Sequence, residues 1–437
     1  MLTYDEALKQ VLDQSARLER KVEKVDFRSS LGRVLAGPIT AGFDLPRFNN
    51  SGVDGYGVLV EDLAGASEAS PVKLKLVGQV AAGANVSIGY GDGTNAGTGN
   101  GDASTGELKP GHTLRILTGA LVPDSVEAVV MKEFCRVESD EVAVAGQVRI
   151  GENIRMQGEE VEAGASVLAQ GMLISPPIVG LLATLGKTEI SVFKQPRVAV
   201  ISTGDELVEP GTELSDCQIY NSNSHALAAA LKAIGIDQVH SFHTKDDRNQ
   251  TRTVLQEALN KSDVIVSIGG VSVGEKDYVK ETFEALGVRT VFWRIQMKPG
   301  KPVYFGVVQA EGEGAADGKI QKLVFGLPGN PVSALVTFNL FVKPALKIMQ
   351  GLKEKPRRIT TARLARNLKK KAGRLDFVRG TLETAEDGSL IAYATSGQES
   401  HMLTGLAAAD CLMLFASDLE FLPEGATLPV QILNWHE

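Results

Sequence analysis

Between Val264 and Pro331 the sequence sets three glycine- and proline-stiffened loops directly behind apolar runs, and few folds accommodate that arrangement. Val264-Ile265-Val266-Ser267-Ile268 feeds Gly269-Gly270-Val271-Ser272-Val273-Gly274, with Asp277 just beyond. Lys298-Pro299-Gly300-Lys301-Pro302 follows Val291-Phe292-Trp293-Arg294, and Gly326-Leu327-Pro328-Gly329-Asn330-Pro331 follows Leu323-Val324-Phe325. A short continuous apolar run bounded by turn residues fits a strand buried on both faces. Glycine-rich turns at the carboxyl ends of such strands are the anion-binding loops of open α/β sheets. The stretch predicts one sheet that carries an active site along one edge.

The surrounding pattern agrees. Strand-like runs at Arg197 to Ser202, Gln238 to Phe242, Val264 to Ile268, Thr290 to Trp293, Val303 to Val308 and Leu323 to Phe325 alternate with helical spacing. The helical stretches are Asn223 to Ile234, Arg252 to Leu259, Tyr278 to Leu286 and Val332 to Met349. Such alternation predicts a mostly parallel, doubly wound sheet. Residues 310–319 read as a hairpin insertion. Upstream, Thr3-x-x-Glu6 is a capping box with Leu8, Val11 and Leu12 behind it, predicting a helix over about residues 3–18. A second helix is expected from Ser29 or Ser30, carrying Leu31, Val34 and Leu35. The segment from Leu45 to Val58 is polar and turn-rich, which by composition alone reads as a surface loop. Short β runs follow at Val72 to Val77, Thr113 to Thr118 and Ala128 to Met131, around a Gly/Asn/Ser-rich insertion at 89–106 that is expected to be mobile. Pro176-Pro177 opens a helix that ends at Gly186. After Gly351, runs at Arg363 to Leu368, Phe377 to Leu382, Leu390 to Ala394, Leu412 to Phe415 and Pro429 to Leu433 predict a small β domain.

Charge narrows the class. Lys and Arg total 45 against 53 Asp and Glu, a net −8, so nucleic acid and anionic membrane are poor partners. Any anion-binding group must be local. Cys135, Cys217 and Cys411 are odd in number and widely spaced, which excludes a disulfide framework or a CxxC zinc site and suits a reducing cytoplasm. All three read as small buried hydrophobes. The first residues show no basic-then-apolar leader, and no apolar run approaches the roughly 18 residues of a membrane span.

Chemistry-bearing residues gather on the predicted sheet edge. Ser202-Thr203-Gly204-Asp205-Glu206 leaves the first strand, Asp246-Asp247 the second, and Asp277 lies beyond the third. Oxygen-only ligands suit Mg²⁺ rather than zinc, and carboxylates with Mg²⁺ suit a phosphate-bearing substrate. Arg294, Lys298 and Lys301 supply positive charge for an oxyanion. The plain alternative, helix-capping acids and solvated lysines, is weakened by their convergence on one edge.

These loops, together with Asn50-Ser51-x-x-Asp54-Gly55-Tyr56, Thr118-Gly119-Ala120-x-Val122-Pro123, Asn153-Ile154-Arg155, Ser202-Thr203-Gly204-Asp205-Glu206-Leu207 and Gly373-Arg374-Leu375-Asp376-Phe377, resemble the molybdopterin molybdenumtransferase family. This is the MoeA family, which includes the E domain of gephyrin; the resemblance runs from about residue 3 to residue 433. It implies a multidomain α/β plus β protein, forming an elongated homodimer. A helical linker region would comprise residues 1–40 and 165–195, a β-rich domain residues 41–164, a MogA/MoaB-like α/β domain residues 196–350, and a C-terminal β domain residues 351–437. The family's site lies between the α/β domain of one subunit and the Asp54-bearing region of the other. The implied reaction inserts molybdate into adenylylated molybdopterin and releases AMP. By resemblance the functional positions are Asp54, Glu206, Asp246 and Asp277, the last three holding Mg²⁺. Thr118, Arg155, Glu160, Gly269, Gly270, Ser272, Arg294, Lys298, Lys301, Pro328, Asn330, Pro331, Arg379 and Ser400 would bind substrate. Implied partners are the molybdopterin adenylyltransferase and molybdoenzyme acceptors, in the cytoplasm.

Departures are Asn49 for a usual Asp, Gly52-Val53 for Ala-Met, Glu160 for Asp and Arg294 for Lys. Rival readings are a MogA-like adenylyltransferase, a gephyrin-like scaffold, a CinA-like pyrophosphatase and a tungstate-using variant. The first is disfavoured because Gly270-Val271-Ser272-Val273 stands where that family has G-G-T-G, and the second because the acids are intact.

Overall fold

The computed structural model describes residues 1–86, 88–89, 107–270, 278–309, 319–352 and 359–435. Asp277 and Ser272, the insertion beyond Gly89 and the expected hairpin up to residue 318 lie outside the described residues. The chain forms two compact units, Met1–Gly37 with Gln170–Glu437, and Pro38–Ala169.

The first unit is built on a six-stranded sheet. Its spatial order is Val239–Thr244, Val198–Thr203, Val264–Ile268, Ile320–Leu327, Tyr304–Gln309, Arg289–Trp293. The first four strands run parallel, and Tyr304–Gln309 is antiparallel to both its neighbours. All five residues of Val264–Ile268 are buried, which is why its sequence is continuously apolar. Alternate residues serve opposite faces. Val198, Val200, Val264 and Val266 pack with Leu227, Leu231 and the helix after Pro331. Ala199, Ile201 and Ile265 pack instead with Leu255, Leu259 and Phe283. Each fully buried Val, Leu or Phe side chain contributes roughly 1.5–3 kcal/mol. Helices therefore cover both faces, as the alternating pattern predicts.

The helix Pro331–Met349 is long and apolar enough to cross a membrane, contrary to the expectation that no segment would be. Its most apolar window is 78% buried inside the protein, so its apolarity is that of a central core helix. It passes through a π turn at Phe338–Val342, just before Pro344, whose missing N–H and bulky ring prevent regular α pairing with Leu340.

The amino-terminal helix is Tyr4–Ala16, with the Thr3–Glu6 capping box formed in both directions. The Tyr4 ring meets Phe341 and Phe377 edge-on at 5.5 and 5.1 Å. It thereby joins the core helix to the C-terminal strands. The expected second helix does not form. Only a 3₁₀ turn, Phe27–Ser29, is present; Gly32 takes φ +75°, and Val34 and Leu35 bridge to Leu173 and Val192. Their spacing marks two buried loop residues, not a helical face.

A second sheet follows the α/β domain. Leu375–Thr384, Leu390–Ala394, Ile359–Leu364, Thr427–Ile432 and Cys411–Phe415 close on themselves because the first and last of these also pair. Closure leaves these strands no exposed pairing edge. The short strand Met297–Lys298 runs parallel beside Leu375–Asp376.

The unit Pro38–Ala169 holds its own six-stranded sheet, ordered Ala128–Met131, Gly55–Val58, His112–Ile116, Val72–Val80, Glu141–Val144, Cys135–Glu138. The segment expected at the surface contributes buried Asn50, Ser51 and the strand Gly55–Val58. Its glycines permit close packing: a Cβ on Gly55 would run into the Val130 carbonyl, and one on Gly57 would meet Ile116 at 2.7 Å. Of the cysteines only Cys411 is buried; Cys135 is half-buried and Cys217 exposed.

Candidate active site

Chain order and spatial order diverge at the Val198–Thr203 strand. The chain passes from it to Val239–Thr244 on one side, then to Val264–Ile268 on the other. Open α/β sheets bind ligands at such a switch point, outside the carboxyl ends of the strands. Thr203 and Gly204 leave one strand there, Gly269 and Gly270 the other. A Cβ on Gly269 would lie 2.7 Å from Thr203 Oγ1, and Gly269 and Gly270 take φ +87° and +66°. Only glycine fits both constraints cheaply.

The acids follow. Glu206 folds its carboxylate back over Gly204, where a Cβ would meet its oxygens at 2.5 and 2.7 Å. The Asp246 N–H donates to Asp205 Oδ1 at 3.2 Å, bringing the loops after the first two parallel strands together. Glu206 and Asp246 are thus on one edge; Asp277 lies outside the described residues.

The loop after Ile320–Leu327 reaches the same edge. Gly329 approaches Gly269, and its carbonyl accepts from Asn223 Nδ2 at 2.6 Å. Pro331 begins the core helix and Asn330 stands at its N-cap; Pro328 precedes Gly329. Instead of capping, Asn330 Nδ2 donates to Ser400 Oγ at 2.8 Å, and the Val332 N–H donates to the Ser400 carbonyl at 3.1 Å. Ser400 therefore clamps this loop from the C-terminal domain. Arg379 sits behind it. Only 1% exposed, it donates through Nη2 to the Gly397 and Glu399 carbonyls at 2.7 and 3.3 Å. Arg379 is thus held behind the Ser400 loop by two of that loop's carbonyls.

The basic residues are more dispersed. Arg294 leaves the Arg289–Trp293 strand, four strand spacings from Val198–Thr203, or about 19 Å. It has φ +67°, and its guanidinium stacks 3.9 Å over Trp293. Its strand runs parallel to the first four, so Arg294 lies on the same carboxyl edge as Glu206 and Asp246, displaced along it. Lys301 is exposed, and its carbonyl accepts from the Ile295 N–H. Lys298 lies half-buried beside Asp376.

In the other unit Asp54 is held tightly. Its Oδ1 accepts from the Thr118 N–H at 2.9 Å and Thr118 Oγ1 at 2.8 Å, and Oδ2 accepts from Lys132 Nζ at 3.2 Å. The backbone bond first, then the hydroxyl and the lysine, hold the carboxyl down at about 2. Thr118 thus fixes the acid. A separate concavity of about 580 Å³ is lined by Pro46, Asn50, Arg155, Glu159 and Glu160, so Arg155 and Glu160 do come together. Asn49, the departure from Asp, serves its amide oxygen to the Gln157 N–H at 2.8 Å.

Sequence reasoning missed Asn221, Asn223 and Lys132. Asn221 caps the Ser222–Ala233 helix and donates to Ser202 Oγ at 3.1 Å. The run Asn221-Ser222-Asn223-Ser224 after a polar loop was the available signal. Lys132 gave none, since its link to Asp54 exists only through strand pairing.

Three regions of one family match in order. The MoeA N-terminal region (domain I and II) matches residues 2–186, a probable molybdopterin binding domain residues 199–348, and the MoeA C-terminal region (domain IV) residues 361–433. The molybdopterin molybdenumtransferase of Haemophilus influenzae is 32% identical, with 99% of each chain covered. Molybdopterin molybdenumtransferase 2 of Mycobacterium tuberculosis is 36% identical over 93% of this chain and 94% of its own. A crystal structure of the molybdopterin biosynthesis moeA protein from Pyrococcus horikoshii OT3 superposes with TM-score 0.76 and 29% identity, covering 99% of this chain and all of that one. With its parallel-sheet edge, its clamped Asn330 loop and matches along almost its whole length, this chain belongs to the MoeA family.

Proposed function

We propose that this protein inserts molybdenum into molybdopterin in cofactor biosynthesis. The observation that carries this reading is the end-to-end match to molybdopterin molybdenumtransferases, interrupted at none of the three regions. The finer reading is that the substrate is adenylylated molybdopterin, that molybdate is the metal source, and that AMP leaves as water attacks phosphorus and the phosphoanhydride P–O bond breaks. The glycine turns at Gly204, Gly269 and Gly270 allow a bulky anion to approach the backbone. The Pro328-Gly329-Asn330-Pro331 loop, fixed by Asn223 and Ser400, gives one rigid wall. Glu206 and Asp246, with Asp277, supply the hard carboxylate oxygens that Mg²⁺ prefers. Bound there, Mg²⁺ would neutralise phosphate charge. Lys298 offers an ammonium to the oxyanion, while Asp54 stays ionised throughout the neutral range and orients donors. A cytoplasmic homodimer is the working form in this reading, with the adenylyltransferase and the molybdoenzyme acceptors as partners.

The test measures AMP release from adenylylated molybdopterin with Mg²⁺, with and without molybdate. Molybdate-dependent release by the parent, lost in Asp54→Ala and Glu206→Ala, is expected. Release indifferent to molybdate would remove the insertion step from the reading.

A further inference from the structure

Asp376 is a buried acid that none of the roles above employs. It is 8% exposed, and its Oδ1 is buried without a hydrogen-bond partner. The nearest cation is Arg374, whose Nε lies 3.6 Å from that oxygen. Burying a carboxylate is costly unless its oxygens are matched, so an unmatched one calls for a reason. Packing alone supplies none, because a neutral residue of the same shape would fill the space at lower cost.

Its position supplies the reason. In the parallel pairing of Met297–Lys298 with the Leu375–Thr384 strand, Met297 is in register with Leu375 and Lys298 with Asp376. The Leu375 N–H donates to the Gln296 carbonyl at 3.2 Å, which anchors the pairing. Laterally paired residues present side chains on the same face, with backbones about 4.8 Å apart. Three cations act on the carboxylate: Lys370, Arg374 and Lys298. Lys370 is otherwise engaged, its Nζ donating to the Arg374 carbonyl and lying 5.0 Å from the Phe415 ring centre. Arg374 has a side chain 44% exposed at the rim. Lys298 alone of the three opens the Lys298-Pro299-Gly300-Lys301 loop.

We infer that Asp376 is a positioning residue for the active site: a buried counter-ion in the C-terminal domain that orients the Lys298 ammonium toward its oxyanion. This rests on the oxyanion-binding role proposed for Lys298. It gives the C-terminal domain a second hold on the site, independent of the Ser400 clamp. Burial pushes the Asp376 carboxyl up, with the three cations opposing that shift. The ionised acid therefore weighs against folding, and its gain must lie in what it holds.

The experiment is a double-mutant cycle on the full chain, with molybdate alone titrated calorimetrically. Lys298→Met is expected to weaken binding about tenfold and Asp376→Asn three- to tenfold, the double variant being no weaker than Lys298→Met. Asp376→Glu should restore part of the affinity. A purely structural acid would instead lower the melting temperature, whereas Asp376→Asn is expected to melt no lower than the parent. A ligand-free readout separates this inference from the function it rests on. With lysines reductively ¹³C-methylated, the Lys298 methyl NMR signal should move in Asp376→Asn at fixed pH, because the ammonium loses the carboxylate that orients it. The other groups facing Asp376, Lys370 and Arg374, are unchanged in this comparison. An unmoved Lys298 signal, or fully additive losses of affinity, overturns the inference. A moved signal with Lys298→Met binding molybdate as the parent does would uphold the Asp376–Lys298 coupling while removing the oxyanion role.

Discussion

Two of the sequence-singled acids, Glu206 in one unit and Asp54 in the other, each have a glycine close by, and the two glycines do opposite things. Gly204 lies two residues before Glu206, and the obstacle to a side chain there is the Glu206 carboxylate itself. Gly55 follows Asp54, and the obstacle there is backbone, the Val130 carbonyl in the adjoining strand. The first glycine makes room for a functional group, the second for the sheet that carries one. The supports differ in the same way. Strand order places Glu206 and Asp246 on one edge; Asp54 is fixed bond by bond through Thr118 and Lys132.

The contrast can be broken most directly at Gly55. Gly55→Ala drives a methyl into Val130 backbone and Val129, which cannot move without opening the sheet. A loss of about 3 kcal/mol in the stability of the Pro38–Ala169 unit is expected, at the upper end of overpacking costs, measured by urea unfolding. Gly204→Ala should separate the two roles. Its φ of +147° and displaced carboxylate cost about 1–2 kcal/mol, but AMP release should fall more than tenfold. Equal damage to folding from both variants would erase the distinction.

Thr118→Val sharpens the Asp54 side. It removes the hydroxyl bond and keeps the backbone bond and Lys132, so the carboxyl should rise from about 2 part of the way toward the ordinary value near 3.9. A depressed carboxyl contributes stability above its unfolded pKa and loses it as pH falls through the folded one. The variant should therefore lose that contribution at a higher pH than the parent. Carboxyl NMR titration checks this; an unmoved midpoint would assign the shift to the backbone bond and Lys132, without the hydroxyl. Ser400→Ala should have the smallest effect. The Asn330 bond goes, but the Val332 N–H keeps its bond to the Ser400 carbonyl. A loss of about 1 kcal/mol is expected, seen as a small fall in melting temperature.

The sequence by itself determined the alternating elements of the α/β domain, because strands buried on both faces must be continuously apolar and their loops must be turn-forming. Gly269-Gly270 and Pro328-Gly329-Asn330-Pro331 were legible for that reason, and the motifs made the family legible with them. What lay between residues 29 and 58 was not. Val34 and Leu35 mimic a helical face while serving as isolated bridges, and the polar run around Asn50 is buried by pairing with distant residues. Only the tertiary structure decided that Arg379 is buried behind the Ser400 loop, that Arg294 lies far along the sheet from Glu206, and that Lys132 and Asp376 stand beside Asp54 and Lys298. Local sequence sets dihedral preference and which face is apolar. It does not set which distant strand comes alongside, and the partner of a charged side chain is fixed by that register.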